Sequence, residues 1–236
     1  MGVMLTTVHS QTAFPKVTFG VEETSNPTEF SISLQIVFLL TVLSLAPSIL
    51  VMMTSFTRLV IAFSFLRRSL ATQTVPSNQI LVGLALFLTF FIMKPVFTEV
   101  NEKAIQPYIK QEITQSEALA AARTPISTFM LKQTRPKDLE LFIQLRGAGR
   151  PHNKQDLSLL TIIPAFIISE LKTAFQIGFL LYLPMLVIDM VVASVLLSMG
   201  MMMLPPVMIS MPFKILLFVL VDGWYLLVQS LVQGFM

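Results

Sequence analysis

The sequence predicts an all-α integral membrane protein with about four hydrophobic spans, broken helices and an extracytoplasmic helical insert. Apolar residues make up 54% of the 236 residues and charged residues only 12%, about half the charge that a soluble domain carries. The mean hydropathy is +0.77. Prolines interrupt the apolar runs, which indicates that their helices are kinked or broken.

The amino-acid inventory also excludes several kinds of site. Cysteine is absent and only two histidines occur, which excludes disulfides, thiolate nucleophiles and histidine-based metal clusters. The net charge of +3 is too small to favour a soluble nucleic-acid-binding protein. We therefore expect no metal, no cofactor and no nucleic-acid partner.

Two segments precede the insert. Residues 1–30 are polar and lack the basic start and apolar run of a secretory signal. Residues 31–97 predict a membrane helical hairpin, in which a first helix kinks at Pro47 and a second covers residues 79–97. The short turn between them carries Arg67 and Arg68. Because short basic loops stay in the cytoplasm, residues 1–30 and the insert are predicted to be extracytoplasmic.

Residues 98–156 form the predicted helical insert. Such a short segment buries little core by itself, so its apolar side chains need other surfaces. Either they pack within their own chain, or Phe129 and Phe142 are buried against neighbouring subunits. We assign both phenylalanines to a subunit interface.

Residues 157–236 are predicted to hold the C-terminal membrane helices and a Met-rich gate loop. Prolines divide this stretch into helices over 157–183, 184–204 and 207–234. Broken helices at membrane depth occur only where protein covers them or where they line a cavity, and they are common in transport proteins.

Charges inside these apolar helices are costly and usually functional. Glu170 and Lys172 are two residues apart and so point to nearly opposite sides of a helix. Each needs a partner on another helix or another subunit, and we assign both to a subunit interface. Lys214 and Asp222 share a broad face but lie two turns apart, too far for a direct ion pair.

Methionine is concentrated near the end of the chain. Met201, Met202 and Met203 follow Gly200 and precede Pro205 and Pro206, which stop a helix. Because methionine is flexible and polarizable, this segment predicts a deformable apolar seal at a helix break.

Four stretches of the chain resemble the FliP family of flagellar export proteins. The sequence PAFIISELKTAFQIG at 164–178 resembles its first signature, and residues 183–206, from LPMLVID to SMGMMMLPP, resemble its second. TSFTR at 54–58 and PSNQILVGLALFLTFF at 76–91 are similar to the family as well. Related subunits occur in virulence type III secretion systems.

The resemblance implies a subunit of the flagellar type III export gate and no enzyme activity. Several FliP-like copies would assemble with FliQ and FliR, joined by FlhB and served by FlhA. The location would be the flagellar basal body, in the bacterial cytoplasmic membrane. Unfolded flagellar proteins would pass through the gate. By this resemblance Met201, Met202 and Met203 form the pore gasket, and Glu170 contacts other gate subunits.

Two other functions are alternatives to this one. A small-molecule or ion secondary transporter would show internally repeated halves, and residues 31–100 and 157–236 show no such repeat. An intramembrane aspartyl protease would use Asp189 and Asp222 as its paired carboxylates. The Gly-x-Gly-Asp context of such proteases is missing from the sequence.

Overall fold

The structure, a computed structural model, describes residues 27–72, 74–147, 157–201 and 203–236. These residues form helices and connecting turns, without a strand in the parts described. Most of residues 1–30, Met202 and the end of the predicted insert lie outside the described residues. The chain divides into two compact units, Met1–Leu45 and Ala46–Met236, and the first is described by the helical residues 27–45.

Helix α1 covers Pro27–Met53 and α2 covers Phe56–Ser69, so the apolar block predicted as one helix kinked at Pro47 is two helices. The break lies at Thr54 and Ser55. The hydroxyl of Thr57 donates to the carbonyl of Val51 at 2.6 Å. In a continuous helix this carbonyl would accept a hydrogen bond from a backbone N–H instead. Side-chain hydroxyls that compete for backbone carbonyls explain why the helix ends here.

The second arm of the predicted hairpin is longer than expected. Helix α3 (Asn78–Val100), a π-helical turn (Asn101–Ile105) and α4 (Gln106–Ile109) follow without interruption. The helix therefore continues through the predicted boundary at residues 97 and 98. A further helix, α5, covers Gln115–Gln133 and starts with a capping box between Thr114 and Glu117.

Helix α6 covers Pro136–Leu145, and its first residue is a proline, which suits the first helical turn. Helix α7 then covers Leu159–Ser198, 40 residues, and includes both Pro164 and Pro184. The predicted break at residues 183 and 184 is therefore wrong. In an apolar environment an open break leaves more backbone groups without partners than a proline inside a helix does, so the helix continues.

The last two helices are α8 (Pro206–Leu220) and α9 (Gly223–Gln233), bent by 65°. The single helix predicted over 207–234 is also wrong. Asp222 lies in the left-handed region at φ 51°. Gly223 lies so close to Phe218 that an added Cβ would be 2.3 Å from its ring, so a side chain at this position would not fit without rearrangement.

Two apolar clusters hold the second unit together. The inner cluster joins α2, α3, α7, α8 and α9 through residues such as Phe63, Leu81 and Leu231. The outer cluster joins α3, α5, α6, α7 and the segment after α9, with Met93 and Phe166 among its members. Helices α3 and α7 contribute to both clusters, each through different parts of its length. Helix α9 contributes to the inner cluster, and the residues after it contribute to the outer cluster.

In the part of the chain that the structure describes, two helices are long and apolar enough to cross a membrane, Asn78–Ile109 and Leu159–Ser198. The number rises to four if each of two bent helix pairs counts as one span, which agrees with the predicted count of about four. Of the most apolar window in Leu159–Ser198, only 11% is buried within the chain. The most apolar part of this helix is thus left for lipid or other proteins.

Candidate functional site

A buried ion pair joins α2 to α7. The Nε atom of Arg58 donates to Oε2 of Glu170 at 2.9 Å, and Nη2 of Arg58 donates to Oε1. Arg58 is 4% exposed and Glu170 is fully buried. A planar guanidinium bound to both oxygens of a carboxylate is the most specific geometry for an ion pair. The two charges compensate each other where water does not reach.

The remaining donors of Arg58 are also used. Its Nη1 atom donates to the carbonyl of Gly234 and its Nη2 atom to Oε1 of Gln133, both at 3.2 Å. The ring of Phe235 lies 3.8 Å from the guanidinium carbon, a favourable cation–π arrangement. Four parts of the chain therefore converge on Arg58, namely α2, α5, α7 and the residues after α9.

A second polar group lies one residue before Glu170. The hydroxyl of Ser169 donates to Oδ2 of Asp138 at 2.7 Å and accepts from the backbone N–H of Arg135 at 3.1 Å. Burial favours a higher pKa for Asp138, but hydrogen bonds from Ser169 and Arg135, with the charges of Arg135 and Lys172, bring this pKa below its usual value. Ser169 thus fixes the start of α6 on α7 through its hydrogen bonds to Arg135 and Asp138.

A second buried ion pair joins α7 to α8. The Nζ atom of Lys214 is 2.6 Å from Oδ2 of Asp189, and the hydroxyl of Ser210 donates to Oδ1 of the same carboxylate. Lys214 is 2% exposed and Asp189 is 23% exposed. Both carboxylate oxygens of Asp189 are therefore bound by α8, which holds the two helices side by side.

The structure gives the surroundings of each charged residue in the C-terminal helices. Glu170 has its partner on another helix of the same chain, so charge compensation does not require a second subunit. Lys172 is exposed and lies close enough to Asp138 to affect its pKa. Asp222 is exposed, and Lys214 pairs with Asp189 instead. The assignment of Glu170 and Lys172 to a subunit interface stays a prediction.

The two insert phenylalanines pack within their own chain. Phe129 is 9% exposed, with its ring stacked on Phe235 at a centroid distance of 6.2 Å and tilted against Phe166 at 6.0 Å. Phe142 is partly buried against the same outer cluster. The segment after α9 thus covers much of Phe129 within the chain. The assignment of Phe129 and Phe142 to a subunit interface stays a prediction.

The Met-rich segment lies between α7 and α8. Gly200 has φ +74°, a conformation that favours glycine, and α8 begins at Pro206, directly after Pro205. Met201 is 36% exposed and Met203 is 97% exposed. Met202 lies outside the described residues. We call residues 200–205 the Met-rich turn; its role as a seal stays a prediction.

Metal binding requires clustered ligands, and an aspartyl protease requires paired carboxylates. In the described ranges, no three His, Cys, Asp or Glu residues cluster so that they could hold a metal ion. Ser210 and Lys214 each bind one oxygen of Asp189, so this carboxylate is paired with a cation, whereas a carboxylate dyad pairs it with a second carboxylate.

Sequence reasoning missed Arg58, Asp189 and Ser210 as members of these buried groups. One signal was present: Arg58 is the only charged residue between Glu29 and Arg67, and an uncompensated cation in such a stretch is costly. Which anion compensates it depends on helix packing, and residue spacing alone does not give that. The 112 residues that separate Arg58 from Glu170 put this pair out of reach of local patterns.

The chain is similar to known proteins over most of its length. A family model described as "FliP family" matches residues 39–231. The chain is 60% identical over 216 residues to "Flagellar biosynthetic protein FliP" of Bacillus subtilis, covering 92% of this chain and 98% of the relative. A protein of the same name from Aquifex aeolicus is 50% identical, covering 86% of each chain. Another from Treponema pallidum is 46% identical, covering 94% of this chain and 83% of the relative.

Proposed function

The chain belongs to the FliP family, and on this premise we propose that it is a pore-forming subunit of the flagellar type III protein export gate. The observation that carries the proposal is the end of α7, where an apolar and mostly uncovered helix leads into the Met-rich turn. A helix of this kind needs lipid or other membrane proteins around it. The turn supplies apolar side chains that its own chain does not bury.

The proposed pore is closed by methionine. A channel for unfolded proteins must exclude ions when it is idle, and a dry apolar constriction does so by dewetting. The exposed side chain of Met203, together with Met201 and Met202, supplies such a surface. Methionine also adapts its shape to a passing chain. The pair Asp189–Lys214 supports this role because it fixes α7 to α8, the two helices that carry the turn.

The proposed assembly contains several copies of this chain together with FliQ and FliR, joined by FlhB and served by FlhA. Its support is the uncovered apolar surface, since only 11% of the most apolar window of α7 is buried within the chain. Isolated exposed apolar residues are normal, but large patches mark interfaces. The location would be the bacterial cytoplasmic membrane, at the flagellar basal body, and the cargo would be flagellar proteins.

The proposed role involves no catalytic step and no cofactor. Transport through such a gate requires an opening and a seal, and the energy would come from partner proteins or the proton gradient. Native mass spectrometry of the detergent-solubilised complex tests the proposal. Several copies of this chain with at least two other flagellar membrane proteins are expected. A chain that purifies alone and transports a small solute would overturn the proposal in favour of a secondary transporter.

A further inference from the structure

Helix α8 is held to the rest of the chain by a narrow line of residues. Of its 15 residues, all of which the structure describes, three are buried, namely Ser210, Lys214 and Phe218. They are spaced four residues apart, so they lie along one side of the helix. By comparison, half of the 14 residues of α2 are buried. Few side-chain contacts therefore have to break before α8 can leave α7.

Two of these three residues bind the same carboxylate. Ser210 donates to Oδ1 of Asp189 and Lys214 donates to Oδ2. We call Asp189, Ser210 and Lys214 the α8 latch. Where water reaches such groups, it replaces the hydrogen bonds that they lose, so the net stabilisation from these bonds is small. Asp189 is 23% exposed, and the latch can therefore open where water enters.

Non-helical joints lie at both ends of α8. The Met-rich turn precedes it, and Val221 and Asp222 separate it from α9 at the 65° bend. Helix α9 is fixed, because Leu227 and Leu231 lie in the inner cluster and the carbonyl of Gly234 is bound by the guanidinium after it. Hinge motions are absorbed by a few residues at the ends of rigid elements. The joint at Asp222 is therefore the natural pivot, and the Met-rich turn is the free end.

A cavity of about 440 Å³ lies beside this pivot. Helix α8 contributes Leu217, Phe218 and Val221 to its wall, and α7 contributes Leu180 and Leu181. Protein interiors contain few voids larger than a water molecule. Because atoms across a void make no van der Waals contact, the end of α8 next to the pivot is packed less tightly against α7 than an ordinary core helix.

We propose that α8 is a hinged arm that moves the Met-rich turn. The α8 latch holds this arm against α7 while the gate is closed, and the arm swings about Asp222 when an unfolded chain passes. Helix α7 stays in place because Glu170 ties it to α2. The water of the open pore solvates Asp189 and Lys214 once they separate. This inference rests on the proposed function and deepens it, because it states which part of the seal moves.

Single-cysteine labelling in cells tests the arm, since the chain has no cysteine of its own. Ser210 is 0% exposed, and buried thiols are inert, so Ser210→Cys should react with N-ethylmaleimide only when α8 leaves α7. Cells that make no export substrate are compared with cells in which a flagellar substrate carrying a tightly folded domain has stalled in the gate. The minor state of a two-state protein is at most about 10% populated, so labelling should rise about tenfold or more in the stalled gate.

Ser169→Cys is the matched control for this labelling. Ser169 is also 0% exposed, but it joins α7 to α6 through Asp138 and lies away from the arm. Its labelling should be the same in idle and stalled gates. An equal rise at both positions would mean that the whole chain loosens, and this would overturn the inference of a hinged arm.

Filling the cavity should hold the arm closed. Leu180→Trp adds contacts between α7 and α8, so we expect normal assembly of the gate, no rise in the labelling of Ser210→Cys, and loss of export. Phe179→Trp is the matched control, because Phe179 is 63% exposed and Leu180 is 66% exposed, while Phe179 is not part of the cavity wall. The Phe179→Trp gate should export normally.

A variant at the pivot acts in the opposite direction and decides the question if Leu180→Trp does not assemble. An added Cβ at Gly223 would be 2.3 Å from the ring of Phe218, so Gly223→Ala displaces the apolar residue of the buried line on α8. We expect the labelling of Ser210→Cys in idle cells to rise severalfold in this background. Unchanged idle labelling would overturn the pivot at Asp222.

Two further outcomes would overturn the inference: equal protection of Ser210→Cys in idle and stalled gates, or normal export by an assembled Leu180→Trp gate. Either would show that the methionine side chains open the seal without α8. These results leave the proposed function standing, provided that the substrate stalls in a parent complex that contains other flagellar membrane proteins. A parent chain that purifies without any partner would overturn the proposed function itself.

Discussion

Arg58 and Glu170 are 112 residues apart in the chain, yet the guanidinium of one binds both carboxylate oxygens of the other. The guanidinium also contacts the ring of Phe235 and donates to Gln133. Its burial makes each partner dependent on the other, since a single remaining charge would have no water to solvate it.

Removal of one member of this pair should therefore lower the free energy of unfolding more than removal of both members does. We expect Glu170→Ala to destabilise the chain by about 3–5 kcal/mol and to reduce assembly of the complex more than insertion of the chain. The double variant Arg58→Met/Glu170→Leu should recover much of this loss. Thermal unfolding in detergent and co-purification of partners measure the two effects. Equal stability of the parent and Glu170→Ala would contradict the role given to the pair.

The pair between α7 and α8 gives a separate prediction. Lys214→Ala leaves Asp189 partly buried with only Ser210 as a partner, so α8 should separate from α7 more readily. We expect faster backbone hydrogen exchange at the start of α8 and a lower free energy of unfolding. Adding Asp189→Asn to this variant should recover part of the lost stability. Lys172→Ala, at an exposed position of α7, is the matched control. Unchanged exchange in Lys214→Ala would show that apolar packing alone holds the two helices.

The proposed seal is tested by shortening its side chains. Changing Met201, Met202 and Met203 together to Ala should widen the resting constriction, and ion leakage in growing cells should rise while secretion falls less. The double change Met190→Ala/Met208→Ala removes two other exposed methionines and should leave the leak unchanged. If the triple variant leaks no more ions than the parent while export is retained, the methionines serve only in packing.

The predicted membrane orientation is open to single-cysteine labelling, because the chain has no cysteine of its own. Cysteine at Glu112 should react with an impermeant reagent from outside the cell. Cysteine at Ser77, an exposed position in the turn that follows Arg67 and Arg68, should react only after the membrane is opened. Labelling of Glu112→Cys only after the membrane is opened, and of Ser77→Cys from outside, would show the reverse orientation.

The contact between α6 and α7 should depend on pH. The pKa of Asp138 lies below its usual value of 3.8, so its ionised form stabilises the folded chain at neutral pH. This contribution is lost as the pH falls below 3.8 and through the lowered pKa. Asp138→Asn should lower stability at pH 7 and remove this acid-dependent part. Unfolding monitored against pH checks it, with the exposed Glu112→Gln as control; identical acid profiles for parent and Asp138→Asn would contradict it.

Sequence patterns predicted the helical membrane class, because charge depletion and long apolar runs are direct consequences of a lipid environment. Gly200 and Pro205 likewise predicted the end of α7, since both act on the local backbone. The pairs Arg58–Glu170 and Asp189–Lys214 were not predictable, because they depend on which helix faces meet. The helix break predicted at Pro184 was wrong for a related reason, because the free-energy cost of a break depends on whether water can hydrogen-bond the freed backbone groups.

The length of α7 has a further consequence for how the cell handles this protein. Forty residues at about 1.5 Å each give a rod of about 60 Å, twice the roughly 30 Å hydrocarbon core. The apolar rod is therefore longer than one direct crossing of the hydrocarbon core. In the proposed assembly the other subunits would cover the excess length, so a chain made without them should be degraded faster than an assembled one.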